Sequence, residues 1–554
     1  MLLCILAIAA SASGRNSRQG QAEFAVLAPR YRIELNLDYR QATFSGIEFV
    51  HITNTSHEEL DNLIFHLYPN AGLAEGEDPW MTVSRISLNG NTLRGNLRTR
   101  HSGLKVDLPY KLTPGQSIEL KLEFSARIPR VQREEASLLA HFLQEVNDAV
   151  NEEKPVRDAR DIFFAGEEAI LLSYFYPMLA VKPSQLSEQS LVSGVGGIVF
   201  SEAADYEVKI STDEGLTILG SGVEAKTSAV SPPRQIRVFR GEKLAGFGLV
   251  IAERFKSVEQ QSGQTRIVSY FREGDDRLGK RALNIAARAV EAYTQAYGSY
   301  PYPILQIAEM PLPAGYSGTE LPALIALAQA YYIDFEAPHS VRLPGVLREQ
   351  ADVIKSAFEF TLAHGVAHQW WGGAVGNDPE RAPYVNEALS SYSAAYYHEV
   401  AYNKSFGELI AKQQLNGTYQ AYRMLGGVDL EVDKPAKDFR STLQFTAIVQ
   451  AKGALMFAAL RRELGDEKFF RALKSYYSAQ RFRIVTPEQL RGAFLNVVED
   501  QRPVRALFQR WLKEKHGDED IGAPDLTLLS PPVSKIRTLG RVFVKIGKTA
   551  AKPF

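Results

Sequence analysis

The sequence predicts a multidomain α+β protein, with an all-β N-terminal part of saddle or sandwich type followed by a mainly helical part. Two changes of pattern predict it. Apolar residues recur with period two from about residue 24 to 255, and at helical spacing from residue 276 onward. Bulk composition agrees, since 554 residues at 45% hydrophobic and 23% charged suffice for two or three ordinary globular cores.

Residues 1–23 form a signal-like apolar segment and linker. The run from Leu2 to Ala12, closed by Ser13-Gly14-Arg15, is too short to span a bilayer and ends in small residues. It lacks the positive start of a secretory signal but resembles the rest of one, so export to the periplasm or exterior is expected. The alternative is a cytoplasmic protein with an apolar N-terminus. The single cysteine, Cys4, lies in this run, so disulfides play no part after its removal. No other apolar stretch is expected to span a membrane. The 63 basic residues balance 64 acidic ones, which gives no basis for nucleic-acid binding.

Residues 24–255 form the β domain. Tyr31, Ile33, Leu35 and Leu37 alternate with Arg32, Glu34, Asn36 and Asp38, and 44–52, 62–68, 117–124 and 206–210 continue the theme. The charged, helix-prone segment 134–158 reads as a surface insertion, solvated as helix or loop. Residues 256–515 form the second domain. Leu278, Leu283, Ile285, Ala286, Val290 and Tyr293 mark an amphipathic helix, and 304–310 a strand leading into a Gly-rich turn. Helices are predicted from about Gln350 to Trp371 and from Val385 to Val400. The tail, 516–554, carries six basic residues and no further acid after Asp525, with 541–546 as a possible edge strand.

Chemistry concentrates in the second domain. His364-Gly-Val-Ala-His368 places two imidazoles on one helical face, about 5–6 Å apart at Cβ, which suits two ligands of one metal. Glu387 follows after eighteen intervening residues on the next predicted helix. Two histidines and one carboxylate leave zinc an open fourth position and suit it better than calcium or magnesium. A general base directly after the first histidine is absent, because that position is Gly365. Gly365 also costs roughly 1 kcal/mol relative to Ala in a helix interior, so helix stability does not explain it.

Taken together, HGVAHQWWGG at 364–373, YVNEALSSY at 384–392, LYPN at 67–70 and YPML at 176–179 resemble the membrane alanyl aminopeptidase family. These are gluzincin-type zinc exopeptidases that include leukotriene hydrolase. The resemblance covers residues 25–510 or so and implies a thermolysin-like zinc domain holding one zinc ion through His364, His368 and Glu387. The segment 317–321, Ser-Gly-Thr-Glu-Leu, is similar to the family's amine-binding motif, which implies substrate binding by Glu320 and Gly318. The family's oxyanion-stabilising Tyr position holds Gln450, in Gln450-Ala451-Lys452-Gly453. Its base position is Gly365, and Leu321 and Ala323 replace the Asn and Gly of the amine-binding motif.

The resemblance implies a zinc-binding protein that engages peptides or protein N-termini and is impaired or inactive as a peptidase. Gln450 then serves as a weak oxyanion donor and Glu320 as the amine anchor. One alternative is an active metallo-aminopeptidase with a substitute base. The other is a metal-stabilised scaffold or interaction module. Glu359 and Glu349 are too far around the helix to replace the base.

Overall fold

The computed structural model describes residues 28–522, except 75, 99–100, 151–157, 182–193, 226–232 and 344. The first domain is built from strands, as its period-two pattern requires. Arg30–Asp38 buries Tyr31, Ile33, Leu35 and Leu37 and exposes the residues between them. It pairs antiparallel with Thr43–Thr53 and parallel with Ala204–Asp213 in an eight-stranded sheet. Two four-stranded sheets pack beside it. In one of them Ala169–Ser173 and Gly248–Ala252 are buried along their whole length, which explains their unbroken apolar sequence. The 134–158 insertion contains helix α1, Leu138–Val150.

The second domain opens with the hairpin Phe255–Ser262 and Thr265–Arg272, which heads a five-stranded sheet continued by Ile304–Met310, Leu324–Ala328 and the edge strand Gly318–Leu321. Helix α2, Asp276–Tyr297, buries all six apolar residues that predict it and stops at Gly298, φ 122°. Helix α3 runs Ala351–Ala367, four residues shorter than predicted at its end. Gly372 at φ 105° turns the chain there, and Gly373 N–H returns to His368 O at 2.9 Å. Helix α4, Tyr384–Ala401, packs against α3. A π-helical turn, Thr446–Lys452, leads into α5, Gly453–Gln480, which is broken at Gly465 by φ 72°.

The run Thr442–Gln480 is long and apolar enough to cross a membrane, contrary to the expectation that no further stretch would be. Its apolar side chains serve the core instead, with Met456, Phe457, Leu460, Phe469 and Leu473 fully buried. The folded region also extends into the predicted tail. The short helix Gly517–Asp520 is held through Asp518 by Tyr419 and Arg423. Cys4, the signal-like run and the 541–546 strand lie outside the described residues.

Candidate active site

Helix α3 carries the two histidines and α4 the glutamate, and packing of the two helices brings them together. His364 Nε2 lies 2.9 Å from His368 Nε2, and Glu387 Oε2 lies 3.9 and 3.7 Å from those nitrogens. Ligands at zinc–nitrogen and zinc–oxygen lengths of about 2.0–2.1 Å on a tetrahedron stand about 3.3 Å apart. The observed triangle brackets that spacing, so the donor set fits one ion. The remaining polar atoms are satisfied in the sense a metal site needs. His368 Nδ1 donates to Trp371 O at 3.0 Å, and His364 Nδ1 lies 3.3 Å from Ser391 Oγ. Asn386 donates to the outer carboxylate oxygen of Glu387 at 3.3 Å.

In the metal-free protein these groups share charge. Burial and the adjacent His368 push His364 down to about 3, leaving it neutral. Burial also opposes charge on His368, but Glu387 outweighs it and holds that imidazole up at about 9. Glu387 in turn is held down to about 2, because the histidines and Gln450 more than offset its burial. The cluster is therefore a His368–Glu387 ion pair beside a neutral His364.

Gly365 faces the edge strand. A Cβ there would lie 3.3 Å from Glu320 Oε1 and 3.4 Å from Ile325 Cγ2. Glu320, expected as the amine anchor, thus directs its carboxylate into the space the missing side chain leaves. Gly318 is beside it, and a Cβ on Gly318 would meet the same oxygen at 3.1 Å. The strand is clamped by Gln369, whose amide donates to Leu321 O at 3.1 Å and accepts from Ala323 N at 2.8 Å. Ala323 occupies φ 62°, where glycine is the easier residue, and the Gln369 bond holds it there. Gln369, Ser391 and Asn386 are not legible as site residues in the sequence, because none of them is itself a metal-ligating type.

Gln450 has a contact beyond its expected role. Its amide donates to Glu387 Oε2 at 2.8 Å, so it holds a candidate ligand in place. The π-helical turn carries it across to α4; such turns recur at functional sites. Lys452, in the same motif, is a buried structural cation. It donates to Asp429 Oδ1 and Leu430 O, both at 2.8 Å, and Asp429 also takes Gly517 N–H at 2.8 Å. Glu359 is occupied elsewhere, accepting from Tyr397 and Tyr402 at 2.9 and 2.8 Å.

A cleft of about 1240 Å³ opens over these residues. Helix α1 lines it through Leu143, Gln144 and Asn147 and is fixed to the second domain by His141, 3.2 Å from Leu312 O. The insertion is therefore a wall of the cleft and not simply a solvated surface element.

Two packed helices presenting His, His and Glu beside a mixed sheet, behind a β domain, are the arrangement that the gluzincin resemblance implies. Residues 281–511 match the Peptidase family M1 domain, in agreement with the resemblance to the alanyl aminopeptidase family. It is 29% identical over 239 residues to aminopeptidase N of Lactobacillus delbrueckii subsp. lactis, covering 42% of this chain and 26% of the relative. It is 26% identical over 274 residues to aminopeptidase M1-D of Oryza sativa subsp. japonica, covering 48% and 29%. The chain thus spans little more than a quarter of the length of the curated relatives it matches. In fold it is similar to an M1 zinc metallopeptidase E323A mutant from Deinococcus radiodurans, with TM-score 0.58, 16% identity, and 88% and 94% of the two chains covered. The same mutant bound to a Tyr-Ser-Ala substrate gives TM-score 0.57 at 16% identity, covering 92% and 96%.

Proposed function

We propose that this protein holds one zinc ion through His364, His368 and Glu387, receives peptide N-termini in the adjoining cleft, and hydrolyses them weakly. The observation that carries this reading is the small triangle of ligand atoms with no side chain at position 365. When bound, zinc supplies Lewis-acid polarisation of water and of the scissile carbonyl. The protein's own groups do the rest. Trp371 O and Ser391 orient the imidazoles, Asn386 and Gln450 orient the Glu387 carboxylate, and α1 helps enclose the peptide.

Loss of a positioned base costs about 10²–10⁴ in rate. Loss of an oxyanion donor costs about 10²–10³, and the two need not add. The open cleft favours this reading over a metal-stapled scaffold, which has no use for one. The test is metal analysis paired with turnover of aminoacyl amides by zinc-loaded, chelator-controlled protein. Stoichiometric zinc with slow turnover is expected. Rates within about tenfold of ordinary family members, some 1.4 kcal/mol in barrier, defeat the impaired-peptidase reading.

A further inference from the structure

The two glycines flanking Glu320 suggest why position 365 tolerates the loss of its carboxylate. Side chains at 318 and 365 would both press on Glu320 Oε1, at 3.1 and 3.3 Å from their Cβ positions. The slot they leave open is filled by that oxygen. Its strand is held on both sides, by Gln369 on Leu321 O and Ala323 N, and by Thr319 Oγ1 donating to Asp161 O at 3.0 Å. Glu320 lines the same cleft as His364, His368 and Glu387. Among the described residues no other side chain donates a hydrogen bond to its carboxylate.

We propose that Glu320 stands in, with partial effect, for the missing carboxylate at 365, serving as proton acceptor and donor for the residual amide hydrolysis from the sheet edge instead of from the helix. This rests on the zinc-peptidase reading above. A water proton passes to Glu320 while the water oxygen bonds to the scissile carbonyl carbon. The C–N bond then breaks, and Glu320 returns the proton to the departing amine nitrogen, so no other reactant is needed.

The experiment compares wild type with Glu320→Gln, Glu320→Ala and Gly365→Ala, using alanyl anilide and its N-acetyl counterpart, with zinc content measured in each. Glu320→Gln is expected to lower kcat about 10²–10⁴-fold on both substrates. Formate is expected to restore part of the Glu320→Ala loss, and Gly365→Ala to lower kcat by displacing the carboxylate. A loss confined to KM for the free-amine substrate overturns the proposal and leaves Glu320 an amine anchor. Calorimetry with a peptide hydroxamate, in buffers of different ionisation enthalpy, decides the matter independently of turnover. The hydroxamic acid proton is retained on Glu320 in wild type and released to buffer in Glu320→Gln. Equal proton counts in two zinc-loaded proteins overturn this proposal alone, whereas wild type that binds neither zinc nor hydroxamate overturns the peptidase reading beneath it.

Discussion

Zinc affinity should rise with pH about tenfold per unit between pH 6 and 8, because a proton occupies the site when the metal does not. In the metal-free protein His368 is held protonated up to about 9 by Glu387. His364 at about 3 and Glu387 at about 2 are already deprotonated above pH 5 and add no further dependence. One proton must therefore leave for each ion that enters. Raising the pH removes the competing proton, so affinity rises and levels off only above about 9. Across the two units from pH 6 to 8 the change is about 100-fold, or about 2.7 kcal/mol at 1.36 kcal/mol per unit. Competition against a chelator of known pH dependence measures it, and calorimetry counts the released proton. An affinity that changes less than about threefold across that range, well under the 1.4 kcal/mol of a single decade, refutes the ion-pair description of the empty site.

The same ion pair makes metal-free stability fall as pH rises. The raised His368 pKa contributes fully below its unfolded value near 6.5 and is lost towards about 9, so the apo protein should melt at a lower temperature at pH 9 than at pH 6. Gln450→Leu removes the 2.8 Å hydrogen bond to Glu387 and should weaken zinc binding about 10–100-fold with little effect on folding, read by chelator competition. Lys452→Met leaves Asp429 buried without its cation and should destabilise the protein by about 3–5 kcal/mol, read by denaturant unfolding. Gly365→Ala should do the opposite for stability, adding up to about 1 kcal/mol of helix propensity less a few tenths for the tight contact at 3.3 Å. Its activity should fall even so. Unchanged kcat in a stabilised variant would show that Glu320 does not need the slot.

What could be read in advance is periodic or local. The alternation at 30–38 already specifies which side chains enter the core, since a strand sends neighbours to opposite faces. The four-residue spacing of His364 and His368 specifies a shared helical face, and the motif carrying Glu387 specifies the third donor. The missing side chain at 365 is equally plain from the residues alone. Other features depended on which distant segments meet. Glu320, on a sheet edge, reaches the gap in α3 only because Gln369 clamps that edge to the end of the histidine helix. Gln450 finds Glu387 across 63 positions of chain. Helix α1, whose charges read as solvated, is fixed against the second domain by His141. Periodicity and motif spacing are properties of one segment, set by backbone geometry that every chain shares. The partner of a side chain is set by packing between segments, and no single segment carries that information.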